Sequence, residues 1–103
     1  MKRPALEAMI RTLLARLELR ARRAAAAVAA VADVPLAPLS PELKAQVHHW
    51  RAEARDALMP GSGEPDRREA ERSLEQAASR VPPELRERYL LRPELQALAT
   101  PRR

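Results

Sequence analysis

The sequence predicts an all-α fold in which a long N-terminal helix packs on a second helix as a helical hairpin, followed by shorter C-terminal helices. Alanine and leucine, which favour helix, account for 36 of the 103 residues. Apolar residues recur at helical spacings of three and four through each long segment. Prolines and the two glycines fall between these segments or at their starts. A chain of this length is enough for one domain.

The first apolar line predicts one continuous helix over residues 4–32, because neither glycine nor proline interrupts residues 5–34. Such a helix would be about 43 Å long, whereas a compact domain of this size is about 33 Å across. Its apolar side chains would therefore extend beyond the hairpin and be free to meet a partner. The line consists of Leu6, Ile10, Leu13, Leu17, Ala21, Ala24, Val28 and Val31.

Residues 33–40 contain two prolines and predict an extended crossover. Ser40 followed by Pro41 is typical of a helix start, and the apolar spacing continues that helix to about Met59. Trp50 lies on its apolar line and is expected in the supporting core.

The sequence organisation is a hairpin over residues 1–59, a flexible linker over 60–65 and short helices with a basic tail over 66–103. The linker contains both glycines of the chain. Asp66 with Glu69 predicts a capping box at the start of the third helix. A short fourth helix is expected over residues 84–91, and further helical turns over 93–98.

Charge is distributed unevenly along the chain. The net charge is +5, and residues 1–23 alone also carry +5, so the rest of the chain balances to zero. There is no cysteine, which excludes disulfides and thiol chemistry. The apolar run 24–32 is too short to span a bilayer, and the segment before it contains two acids, which a signal peptide does not favour. We expect a cytoplasmic protein.

No catalytic constellation is recognisable, so we expect neither an enzyme nor a cofactor. The serines and threonines have no histidine at helical reach, and no glycine-rich phosphate loop is present. His49, Glu53 and Asp56 share one helix face and leave a metal site as an alternative. A charged face of this kind is more typical of an ordinary surface helix, so we expect no metal.

The apolar line of the first helix predicts a protein partner interface formed by Leu6, Ile10, Leu13 and Leu17, most simply in a homo-oligomer. The alternative function is nucleic-acid binding, with Arg16, Arg20 and Arg23 as contacts to a polyanion. A membrane-surface role is a third possibility, since leucine and methionine oppose the arginine face, although we expect no membrane partner.

The run VPPELRERYLLRPELQAL at residues 81–98 resembles the closing helices of tetratricopeptide-type arrays in bacterial signalling proteins. The resemblance covers 18 of the 103 residues, and the rest of the chain lacks a repeat of 34 residues. It implies a scaffold for protein contacts in a bacterial cytoplasm, and it carries over no site residues.

Overall fold

A computed structural model describes residues 3–91, which form five helices and confirm the all-α class. The first three helices pack against one another, the fourth lies along the third, and the fifth contacts the fourth. The molecule measures 41 × 41 × 21 Å, a plate about two helices thick. The predicted turns over 93–98 and the basic tail lie outside the described residues. The helices are α1 (Pro4–Arg20), α2 (Ala24–Ala32), α3 (Pro41–Leu58), α4 (Glu64–Ser79) and α5 (Pro83–Leu90).

The prediction of one continuous N-terminal helix is wrong, because α1 ends at Arg20. The Arg23 amide donates to the Glu18 carbonyl at 2.8 Å, and the Arg22 amide donates to the Leu19 carbonyl at 3.0 Å. This pair of bonds is the Schellman motif, which normally has glycine at its left-handed position. Here Arg22 occupies that position, with a φ of 60°. The break follows Leu17 and Ala21, where two successive spacings of four residues depart from the alternation of four and three that a heptad requires.

The break allows α2 to fold back on α1 and to bury a set of very small side chains. A left-handed conformation costs a residue with a side chain about 1–2 kcal/mol. Burial of the apolar residues of α2, which a straight helix would carry away from α1, offsets this cost. Helix α1 itself is only about 25 Å long and does not overhang the molecule. The cluster contains Ala15, Ala27, Ala30, Val31 and Ala54, with Leu19 and Val28 packed against it.

Helix α3 begins where the sequence predicts. The Ser40 side chain accepts a hydrogen bond from the Leu43 amide at 3.3 Å and so caps the helix. The crossover before it supplies apolar contacts, since Val34 and Leu39 are buried. They form a second cluster with Ala8, Leu43 and Val47, and this cluster joins α1, the crossover and α3.

The turn between α3 and α4 is closely bound to α3. The Ser62 hydroxyl donates to the Arg55 carbonyl, and the Gly63 amide donates to the Asp56 carboxylate. A β-carbon on Gly63 would lie 2.3 Å from the Ala52 carbonyl oxygen, so this close approach requires glycine. Helix α4 begins at Glu64, within the segment 60–65 that the sequence assigns to a linker. The flexibility of that segment stays a prediction.

The predicted capping box at Asp66 is wrong, because Gly63 is the residue that precedes α4. The Asp66 side chain instead lies between α4 and α3, where it accepts from Arg55 and lies 3.0 Å from His48 Nδ1. At the far end of α4, Tyr89 of α5 is buried against Ala77. The Tyr89 hydroxyl donates to the Glu42 carboxylate and so fastens α5 to the start of α3.

A buried arginine joins α3 to the end of α2. Arg51 Nε donates to the Val31 carbonyl at 2.7 Å, and Nη2 donates to the Ala32 and Val34 carbonyls at 3.1 and 3.0 Å. The Val31 and Ala32 carbonyls lie at the C-terminus of α2, where the helix dipole favours a cation, and the Val34 carbonyl follows in the crossover. Burial lowers the pKa of Arg51 from its ordinary value, while the charge of Asp66 acts in the opposite direction. The guanidinium therefore acts as the C-terminal cap of α2, and its hydrogen bonds link α2 to α3.

We expect Arg51→Met to lower the free energy of unfolding by about 3 kcal/mol, because it leaves buried carbonyls without a donor. Arg51→Lys should lose less, since it keeps a charge but not the planar fork. Arg68→Met on an exposed face of α4 is the control and should change stability by less than about 0.5 kcal/mol. Chemical denaturation followed by circular dichroism measures all three, and equal stability of the two methionine variants would contradict the assigned role.

We expect Arg22→Gly to raise the free energy of unfolding by about 0.5–1 kcal/mol, because glycine adopts the left-handed conformation without strain. The same change at Arg11, in the middle of α1, should lower it by about 1 kcal/mol. Thermal melting of the two variants beside the unaltered chain tests this opposite sign. A loss of stability in Arg22→Gly would show that the turn at 21–23 is not formed as described.

Candidate interaction surface on the first helix

Helix α1 has two apolar faces of very different composition. The inner face packs into the molecule through small residues, since Ala8, Thr12 and Ala15 are buried. The Thr12 hydroxyl donates to the Met9 carbonyl at 2.9 Å, so it is satisfied within the helix. Small side chains let α2 and α3 approach α1 closely. Leu19 is the one large apolar side chain of α1 that packs against the inner cluster, and the others lie on the opposite face.

That opposite face, here called the outer stripe, carries six large apolar side chains that are each about half exposed. Soluble monomers rarely expose a contiguous apolar patch larger than a few hundred Å². Four of the six are the residues that the sequence predicts as an interface, and two more widen the stripe. The exposed fractions are 48% for Leu6, 56% for Met9, 57% for Ile10, 53% for Leu13, 43% for Leu14 and 52% for Leu17.

The predicted interface residues did not include Met9 and Leu14. The signal was present, because Met9 follows Leu6 by three residues and Leu14 follows Ile10 by four. A line drawn through one residue per turn omits the neighbours on either side of it. The predicted interface is therefore narrower than the apolar surface in the structure.

A shallow hollow lies at the N-terminal end of the outer stripe. Arg3, Leu6, Glu7, Ile10 and Arg11 line it, so it is formed by successive turns of a single helix. Four of these positions, 3, 6, 7 and 10, have the spacing of the hole that receives one side chain in knobs-into-holes packing. The hollow thus has the residue spacing of such a hole.

Charged residues border the stripe along both edges. Arg16 lies on one edge, and Glu7, Arg11 and Glu18 lie on the other. Glu7 and Arg11 lie 4.0 Å apart as an exposed pair. Exposed pairs of this kind contribute little to stability, so their effect is to keep the edges of the stripe hydrated.

The three arginines predicted to contact a polyanion do not share one continuous helix face. Arg16 and Arg20 lie on α1, but Arg23 follows the break and precedes α2. The Arg16 guanidinium lies over the Trp50 ring, 5.1 Å from its centroid, and the Arg23 guanidinium lies 3.9 Å from the Glu18 carboxylate. Two of the three thus have a contact within the chain.

Trp50 does not occupy the core position that the sequence predicts. It is half-buried and belongs to none of the buried apolar clusters. Arg16 covers its ring face, and His49 packs edge-on with the ring centroids 4.8 Å apart. Most buried apolar residues are alanine or valine instead, because alanine allows close helix packing that a tryptophan would prevent.

The alternative metal site on α3 is not assembled. Asp56 accepts hydrogen bonds from the Gly63 amide and from Arg67, which fastens α4 to α3. The hydrogen bond to Asp56 raises the pKa of Arg67 from its ordinary value. Within residues 3–91, no three histidine, aspartate or glutamate side chains are placed to hold a metal ion.

Among the helices of residues 3–91, none combines the length and apolar character needed to cross a membrane. No family model, no curated protein and no solved structure matches this chain.

Proposed function

We propose that this protein is a non-catalytic helical interaction and assembly module that forms a homo-oligomer through the outer stripe of α1. The observation that carries the proposal is the position of the six large apolar side chains on the face opposite to the buried Ala8, Thr12 and Ala15. A folded chain that buries alanine and exposes leucine on one helix gains by covering that face with another protein.

The energetic balance supports reversible association. Covering a half-exposed leucine or methionine contributes about 1 kcal/mol. Two stripes of six residues therefore contribute about 12 kcal/mol, whereas association costs about 4–15 kcal/mol in lost freedom of motion. Because the two quantities are similar, we expect an equilibrium between monomer and oligomer that depends on protein concentration.

The competing function is polyanion binding, and its support is the net charge of +5 in residues 1–23. The intrachain contacts of Arg16 and Arg23 reduce the number of arginines that are free to follow phosphates. The scaffold role implied by residues 81–98 and the cytoplasmic location stay predictions that are compatible with an assembly module.

We expect Leu13→Asp to dissociate the oligomer, raising its dissociation constant at least about 100-fold, because a carboxylate would be buried without a partner. Sedimentation velocity over a range of concentrations measures the effect. Circular dichroism should show unchanged helix content, since Leu13 is 53% exposed within one chain. The matched control is Leu85→Asp on α5, where the side chain is 47% exposed, and it should leave the oligomer intact.

An unaltered chain that sediments as an 11.5 kDa monomer at all concentrations would contradict the proposal. So would a Leu13→Asp variant with the same mass distribution as the unaltered chain. For the competing function, heparin retention at low salt should disappear when Arg16, Arg20 and Arg23 are changed to Glu and persist in Leu13→Asp. Such a result, combined with a monomeric chain, would favour polyanion binding.

A further inference from the structure

We infer that the outer stripe docks onto the identical stripe of a second copy, with the two α1 helices parallel and in register about a two-fold axis. This inference rests on the proposed function. It adds the surface that the stripe contacts and the relative direction of the two α1 helices. An association of the stripe with a different surface would be head-to-tail, and it would close into a larger ring or continue into an open chain. Pairing of identical stripes closes the assembly at two copies.

The large apolar residues of the outer stripe have the spacing of a coiled-coil core. Leu6, Ile10, Leu13 and Leu17 are separated by four, three and four residues, which is the spacing of core positions d, a, d and a in two heptads. Helix α1 ends at Arg20, before the extra spacing that would unwind a coiled coil. All four positions thus lie on one regular helical segment.

The hollow at the start of the stripe has the heptad positions of a hole in a parallel pair of helices. Its residues 3, 6, 7 and 10 correspond to positions a, d, e and a. In a parallel pair, a hole of this composition receives the side chain at position d of the other helix. That side chain is Leu6 of the second copy, and the two-fold axis places Leu6 of the first copy in the equivalent hollow.

The edges of the stripe distinguish parallel from antiparallel pairing. Met9 is at position g and Leu14 is at the following position e. Parallel helices bring g beside the next e of the partner, so Met9 of each copy meets Leu14 of the other. Antiparallel helices bring like edges together and place Arg16 beside Met9 and Glu7 beside Leu14. The parallel arrangement covers apolar surface with apolar surface, and the antiparallel arrangement desolvates charges.

The helices packed on α1 leave its outer stripe accessible to a second copy. Its inner residues Ala8, Thr12 and Ala15 lie at positions c and f, which point away from the core of a helix pair. Helices α2 and α3 of both copies therefore lie on the outside of the pair and do not block it. Arg3 and Arg20 occupy the next core positions, where like charges would meet, so they limit the pairing to residues 6–17.

Single cysteines test the direction of pairing, because the chain has none of its own. Leu6→Cys and Leu17→Cys are prepared separately, treated with oxidised glutathione and examined without reductant. In the parallel pair each variant alone should form a disulfide-linked species of twice 11.5 kDa, at least about ten-fold above the control Leu85→Cys. In an antiparallel pair equal cysteines would be about 16 Å apart, and only a mixture of the two variants would cross-link.

Sedimentation of the reduced variants separates the possible outcomes. A dimer in which each variant cross-links alone supports the inference. A self-associating chain that cross-links only in the mixture, or whose mass increases beyond two copies, overturns parallel pairing and leaves assembly through the stripe standing. An unaltered chain that stays monomeric, with no response to Leu13→Asp, overturns the proposed function and this inference together.

Discussion

The bonds from the Arg51 guanidinium to the carbonyls of Val31, Ala32 and Val34 are the constraint on which the rest of the structure depends. They hold the end of α2 against α3 in a molecule with no phenylalanine and little aromatic surface. With α2 held there, α1 must turn back at Arg22 so that the alanines of both helices can meet. A charged side chain at the centre thereby compensates for a core of small residues.

The exposed apolar surface follows from the way that this core is packed. Leucines between two helices would hold their axes about 8–10 Å apart, whereas alanines and threonine allow α1 a closer approach to α2 and α3. The chain therefore places the small face of α1 inside and leaves Leu6 to Leu17 outside. The expected reason for exposure, a helix too long for its domain, is wrong, since α1 is short enough to fit. The outer stripe is exposed because the opposite face is the one that packs tightly.

The second half of the molecule supplies a rigid support for this arrangement. Asp56 and Asp66 connect α4 to α3 through Arg67 and Arg55, and Gly63 brings the two helices into close contact. The two carboxylates of these ion pairs are largely buried, and both pairs join α4 to α3. Helix α3 thus packs against α4 on one side and against α1 and α2 on the other.

The sequence by itself determined the helical class, the start of α3 at Ser40 and the heptad spacing from Leu6 to Leu17, because propensity, capping and periodicity act over a few residues. Tertiary structure alone decided the break at Arg22, the linking role of Arg51, the ion pairs of Asp66 and the half-buried position of Trp50. A left-handed arginine is unfavourable locally by about 1–2 kcal/mol, and only burial against residues distant in sequence offsets that cost. The candidate site also depends on both. Spacing in the sequence located four of its residues, but α2 and α3, which pack on the inner face of α1, decide that these residues point outward.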